Sequence, residues 1–230
     1  MAFAHAARLL LALASTLPLT AALGAGGCVT QGTLPHHYED PDHMIKVFDD
    51  PERDAWAKPD EVVHALRIED PATVIADIGA GSGYFSRRLA SQAPAGKVYA
   101  VDVDDTFETH IEQNRERWGT PNIEPHLAFY DDPALPNASI DLIFMSNTYP
   151  YIRDRVTYLR KIKAALKPGG RLVVISFRND AQVPGDAAPP AKHRVPKDTA
   201  ILELKEAGFV LEREETFLPY QYFLILQHAP

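Results

Sequence analysis

The sequence predicts a doubly wound α/β domain, and three observations predict it. A short apolar run, Val74 to Ile78, leads straight into glycines at alternate positions, Gly79, Gly81 and Gly83. Strand-like and helix-like segments then alternate from about residue 60 to the end, the pattern that builds a mostly parallel sheet with helices on both faces. The last two apolar strands are joined by Leu218-Pro219 alone, a connection short enough for an antiparallel hairpin.

The elements follow in order. Val74–Ile78 reads as a buried strand, and Tyr84 to Ala93 as a helix whose first amides point into the glycine turn. Lys97 to Val103 is a second apolar strand, followed by a helix for which Asp104 and Asp105 are the natural caps. A third strand precedes Phe129, and Ser139 to Ser146 is a strongly apolar fourth. From Arg153 to Leu166, apolar Val156, Leu159, Ile162, Ala165 and Leu166 recur at helical spacing, with Arg and Lys on the remaining face. Lys167-Pro168-Gly169-Gly170 stops that helix, and Arg171 to Phe177 is the next strand. Asn179 to Pro196 is a proline-rich loop, of a length that inside a compact domain is usually functional or disordered. Asp198 to Ala207 is a helix closed by Gly208, and the strands Phe209 to Phe217 and Tyr220 to Gln227 complete the domain.

The glycine spacing narrows the ligand. A dinucleotide turn needs Gly-x-Gly-x-x-Gly, and here the sixth position is Tyr84 or Ser86, depending on the starting glycine. Asp77, two residues before the first glycine, suits a cation better than a pyrophosphate, since like charges would compete for the same amides. With the run Asp77-Ile78-Gly79-Ala80-Gly81-Ser82-Gly83, the chain resembles the class I S-adenosyl-L-methionine (SAM) methyltransferases, whose first motif is (D/E)-x-G-x-G-x-G. The resemblance runs through most of the chain and includes the Leu-Lys-Pro-Gly-Gly stretch before the fifth strand. It implies a seven-stranded, mostly parallel Rossmann-like sheet ending in an antiparallel hairpin, with SAM as cofactor.

It also implies a set of site residues. Asp77 and the backbone of Gly79, Ala80, Gly81 and Gly83 would hold the amino-acid end of the cofactor, while Asp102, with Val103, would take the ribose hydroxyls. Asp102 lies about 20 residues past the glycines, where open α/β folds place such a carboxylate. Asp131, with Asp132 as its close competitor, matches the acid that meets the adenine amino group; an ordinary Asp-Asp-Pro turn is the other reading of that stretch. Ser146 and Asn147 close the fourth strand beside the methyl group. The segment Asn147-Thr148-Tyr149-Pro150-Tyr151 shares only an Asn and a Pro-Tyr pair with the NPPY box of amino-group methyltransferases, so no nucleobase specificity is carried over. Tyr149 and Tyr151 are candidates to line an acceptor pocket, with core packing as their alternative. In the N-terminal part, His43, Phe48 and Trp56 are further candidates, on residues preceding or within helices expected from Pro51 to Arg67 that cap the cleft. No catalytic base is evident, and the histidines and carboxylates between Gln31 and Lys58 match no metal-site spacing.

Composition is compatible with one domain. The 230 residues are 46% hydrophobic and 23% charged, with a formal net charge of −8 and dispersed Lys and Arg, so a surface that tracks phosphates is not expected. The partner expected is a small-molecule acceptor, not nucleic acid; composition says nothing of oligomeric state. Residues 1–27 read as a signal peptide: a weakly positive start, an apolar stretch from Leu9 to Leu23, then small residues. Cys28, the single cysteine, follows Ala25-Gly26-Gly27 and is placed like the lipid-modified cysteine of bacterial lipoproteins, with cleavage near Ala25 as the alternative. The division expected is thus signal peptide 1–27, linker and cap segment 28–58, and methyltransferase domain 59–230, in an exported, periplasmic or membrane-anchored protein. SAM is a cytosolic product, so export and this cofactor pull in different directions. A non-catalytic, membrane-tethered adenosyl-binding module and an NAD-dependent oxidoreductase are the competing functions, the second disfavoured by glycine spacing and the terminal hairpin.

Overall fold

The computed structural model describes residues 38–183 and 188–228, all within one compact unit. The expected signal peptide, Cys28, His36 and His37 lie outside the described residues, as do Pro184 and Gly185 of the proline-rich loop.

The stretch expected as linker is helical from Pro41. Helix α1 (Pro41–Phe48) begins on an Asp40 cap whose carboxylate accepts from the His43 amide at 2.9 Å, with Pro at the first position where no amide is needed. A short 3₁₀ turn (Pro51–Arg53), α2 (Asp54–Ala57) and α3 (Pro59–Ala65) follow. The alternating part then comes as β1 (Val74–Ile78), α4 (Ser86–Gln92), β2 (Lys97–Asp102), α5 (Asp105–Asn114), β3 (Ile123–Leu127), β4 (Ile140–Ser146), α6 (Arg155–Ala165), β5 (Leu166–Phe177), α7 (Lys197–Glu206), β6 (Phe209–Glu215) and β7 (Gln221–His228). Helix α4 starts two residues later than the sequence suggests, because residues 81–85 are spent on turns. Asp104 caps α5, its carboxylate accepting from the Thr106 amide at 2.9 Å, which leaves Asp102 available for other work.

The seven strands form one sheet in the order β3-β2-β1-β4-β5-β7-β6. Strands β1 to β5 pair in parallel, and β7 runs antiparallel to both β5 and β6, so the expected hairpin is present. The central strands are nearly continuous apolar runs because both their faces are covered. One face packs Ile143, Met145, Val174 and Leu224 with Leu159, Ile162 and Leu204 of α6 and α7. The other packs Ile75, Leu142, Phe144 and Phe223 with Val62, Leu89 and Ile111 of α3, α4 and α5. The chain order reverses between β1 and β4, where a doubly wound sheet opens a crevice at the carboxyl ends of its strands.

Candidate active site

A cavity of about 340 Å³ occupies that crevice. Its floor is the end of β1 and the glycine turn. Gly79 and Gly81 take φ of +74° and +54°, in the left-handed region that favours glycine. A Cβ on Gly79 would stand 2.1 Å from Thr148 Oγ1, and one on Gly81 would stand 3.1 Å from the Phe48 ring. The turn is therefore closed on one side by the segment after β4 and on the other by the N-terminal helices.

Asp77 is buried, 2% exposed, and faces the cavity from the end of β1. Its carboxylate accepts from Ser86 Oγ at 2.7 Å. Burial pushes its pKa up to about 7; the Ser86 hydrogen bond opposes this, and the charge of Asp102 adds to it. Asp102, half-buried at the end of β2, accepts from the amides of Gly81 at 2.8 Å, Val103 at 2.8 Å and Asp104 at 3.2 Å. Its carboxyl is also held above the usual range, again by burial, against the pull of those amides. A carboxylate accepts about four hydrogen bonds. Asp102 thus braces the turn and keeps acceptor capacity toward the cavity, which it lines together with Gly79, Ala80, Gly81, Val103, Ser146 and Asn147. Gly83, at φ +80°, stands one step behind, against Ile111 and Trp118.

Two groups of expected residues fall elsewhere. Asp131 and Asp132 do not line the cavity: Asp131 is exposed, and Asp132 pairs with Lys161 at 3.0 Å and accepts from the Ala134 amide at 2.8 Å. The cavity there is walled by Ala128, Phe129 and Tyr130. Tyr149 is core, 0% exposed, donating to Glu203 Oε2 at 2.6 Å, and Glu203 is itself clamped by Arg155 at 2.7 Å through both guanidinium nitrogens that face it. His43 is exposed on α1 and lines nothing. Tyr151, Phe48 and Trp56 do line the cavity, as do Ala188 and Pro189 of the proline-rich loop.

The residue that sequence reasoning missed is Arg53. It lines the cavity with its guanidinium 3.9 Å from the centre of the Tyr84 ring, and Nη1 donates to the Phe48 carbonyl at 2.9 Å. Its Nε is buried without a partner, and burial lowers its pKa, partly offset by the fields of Tyr84, Asp49 and Asp77. Nothing in the run Asp49-Asp50-Pro51-Glu52-Arg53-Asp54 separates this arginine from a solvated charge cluster. Its neighbours explain the placement. Asp49 accepts from Ser82 Oγ and Arg87 Nη2, each at 2.8 Å, and Asp54 accepts from the Tyr84 hydroxyl, so two carboxylates pin this segment onto the glycine turn and α4. Arg53 is carried over the cavity between them.

An acidic and a basic side chain thus line one cavity beside a glycine cradle, with adjacent apolar walls that include the Tyr38, Phe48 and Phe107 rings, 5.6–6.1 Å apart. That arrangement fits a zwitterionic amino acid joined to a flat heterocycle. The comparisons agree. Residues 75–170 match the family described as "Methyltransferase domain". A SAM-dependent methyltransferase from Aquifex aeolicus superposes with a TM-score of 0.76 at 24% identity, over 84% of this chain and 100% of that one. "Methyltransferase gedG" of Aspergillus terreus is 31% identical over 115 residues, covering 50% of this chain and 33% of its own length. "2-methyl-6-phytyl-1,4-hydroquinone methyltransferase" of Synechocystis is 28% identical over 165 residues, 66% of this chain and 50% of that protein. The chain therefore spans between a third and a half of these curated relatives.

The fold is the Rossmann-like methyltransferase fold, and residues 75–170 match a methyltransferase domain within it. SAM is the cofactor this domain implies, and the residues present fit it.

Proposed function

We propose that the protein transfers a methyl group from SAM to a small-molecule acceptor. The observation that carries this reading is that Asp77 and Arg53 line one cavity beside the glycine turn, together with the aromatic walls. Asp77 would hold the ammonium of the cofactor and Arg53 its carboxylate, each a charge-assisted contact of about 1.5–3 kcal/mol. Asp102 would take the ribose, and Phe48 and Phe107 would face the adenine ring. When bound, SAM supplies a methyl group already activated on a sulfonium. The chain's own contribution is orientation and exclusion of water, worth roughly 7–11 kcal/mol where the reacting atoms are held near attack geometry. No histidine lines the cavity among the described residues. Calorimetry with S-adenosylhomocysteine, followed by labelled methyl transfer into a cell extract, tests the reading. Micromolar binding and a labelled small molecule are expected; the absence of binding would refute it.

The N-terminal sequence supports an exported protein tethered through lipidated Cys28. Labelled acyl chain should enter the wild-type protein and not Cys28→Ser. A Cys28→Ser protein that stays in the membrane fraction would refute the anchor.

A further inference from the structure

The segment that follows β4 has two sides. Thr148, Tyr151 and Ile152 line the cavity, while Tyr149 turns away from it into the core that α6 and α7 cover. The first part of the segment is tied to the sheet: the Asn147 amide donates to the Ile175 carbonyl at 2.8 Å, and Thr148 Oγ1 donates to the Ile78 carbonyl at 3.0 Å. Thr148 is also the side chain that closes on Gly79. The second part, Tyr149–Tyr151, is a single 3₁₀ turn beyond the end of the strand, with the poorer hydrogen-bond geometry of that helix type.

That turn is gripped from the α6–α7 face of the sheet. The Tyr149 hydroxyl donates to Glu203 Oε2 of α7 at 2.6 Å. Arg155, the first residue of α6, donates to the same carboxylate from Nε and Nη2, each at 2.7 Å, and extends Nη1 to the Ile152 carbonyl at 3.4 Å. The Arg155 and Glu203 side chains are only 15% and 20% exposed. Arg155 already satisfies Glu203 in bidentate fashion, and a phenylalanine at 149 would fill the same core without needing an acceptor. An ion pair so far from water adds little net stability over apolar side chains of similar volume; its best-attested use is to fix one arrangement among several. The arrangement fixed here is the turn that brings Tyr151 and Ile152 to the cavity. On that side the Tyr151 hydroxyl shares a hydrogen bond with that of Tyr38, where the N-terminal wall begins, so the turn joins three parts of the molecule.

We propose that Glu203 is a positioning residue: through the Tyr149 hydroxyl it holds the Tyr149–Tyr151 turn so that Tyr151 stands in the cavity and Thr148 stays against Gly79. Glu203 itself does not line the cavity, and its carboxylate acts on the far side of the sheet from α4 and the N-terminal helices. The effect expected on cofactor affinity rests on the methyltransferase reading; the effect on the turn does not.

The test uses the full chain with 3-fluorotyrosine in place of its nine tyrosines. The Tyr151 fluorine signal is assigned by its loss in Tyr151→Phe. In Tyr149→Phe, which deletes one oxygen from a packed ring, the Tyr151 signal should shift or split while that of Tyr99, on β2, stays in place. Glu203→Gln keeps the size of the side chain and removes the charge that Tyr149 and Arg155 share. It should move the same signal, and should move it no further when added to Tyr149→Phe, because the path from α7 runs through the hydroxyl. By calorimetry on the unlabelled chain, S-adenosylhomocysteine affinity should fall about fivefold in each single variant and by the same factor in the double, whereas independent losses would multiply. A structural role alone would lower the melting midpoint and leave the Tyr151 signal and the affinity at their wild-type values. That result would overturn the inference, as would multiplied losses in the double variant. Where Glu203→Gln does not fold, the Tyr151 signal in Tyr149→Phe decides alone. Absence of S-adenosylhomocysteine binding in the wild type would instead overturn the methyltransferase reading, and the fluorine spectra would still decide whether Glu203 sets the turn.

Discussion

The two walls of the cavity are built by different means. One wall is the carboxyl edge of the sheet, where β1, β2 and β4 deliver Asp77, Asp102 and Asn147 from positions fixed by pairing register and by the glycine turn. The other is the segment from Tyr38 to Ala57, short helices with little buried surface of their own, held by Asp49 on Ser82 and Arg87 and by Asp54 on Tyr84. The sheet wall is preorganised by strand pairing and by the core packed on both faces of the sheet; the segment is preorganised by a few side chains. The difference teaches that the same charged pair has one member whose place is set by topology and one whose place is set by local polar contacts, and the two should respond differently to substitution.

The largest effect is expected at the sheet wall. Asp77→Asn removes the negative charge without changing shape, and S-adenosylhomocysteine affinity should fall about 100-fold by calorimetry, the upper range for a hydrogen bond to a charged group. The same substitution should raise thermal stability. Because the folded-state pKa is raised to about 7 from an ordinary value near 4, the protonated carboxyl favours folding at low pH, and that advantage is lost as pH rises through about 7. At pH 8 the wild type carries a buried charge that the variant lacks, and each kcal/mol relieved should raise the melting midpoint by about 2–4 °C. A lower midpoint for Asp77→Asn at pH 8 would contradict the electrostatic account.

Arg53→Met tests the segment wall. Loss of the guanidinium should weaken S-adenosylhomocysteine about 10- to 30-fold while leaving methylthioadenosine, which has no amino-acid group, unaffected. Equal losses for both ligands would mean that Arg53 supports the aromatic wall and does not read a carboxylate.

Next in size is the pH dependence of binding. Holding a cation requires Asp77 to ionise, so below pH 7 binding must release a proton, and affinity for SAM should fall by up to about tenfold as pH drops from about 7 to 6. Asp77→Asn should flatten that limb. If the limb persists in the variant, another group carries the titration.

The comparison also explains what could be read from the residues alone. The glycine turn, the carboxylates of β1 and β2, the Pro-Gly-Gly stop and the terminal hairpin are local backbone requirements, and such requirements leave a mark at fixed spacing. Asp131, Asp132 and Tyr149 also satisfied a spacing, but spacing does not report competition: Lys161 captures Asp132, and the Glu203–Arg155 pair captures the Tyr149 hydroxyl in the core. Arg53 is the converse. Its role depends on Tyr84, Phe48 and Asp77, separated from it in sequence by 5 to 31 positions, and no periodic pattern encodes that placement.

The smallest expected effect falls where the walls touch. Gly81 needs its positive φ for the turn, and its open side is filled by Phe48. Gly81→Ala should cost about 1–2 kcal/mol for the left-handed backbone, with an added part because the new methyl would stand 3.1–3.2 Å from the Phe48 ring. Phe48→Ala removes only that second part. A double-mutant cycle followed by thermal unfolding should therefore give a coupling of about 0.5–1 kcal/mol, with Phe48→Ala partly rescuing Gly81→Ala. Additivity would mean that the N-terminal segment stands off the glycine turn in solution and closes on it only when a ligand is bound. In that case the two walls meet through the ligand, and the losses from Asp77→Asn and Arg53→Met should couple more strongly in cofactor affinity than in stability.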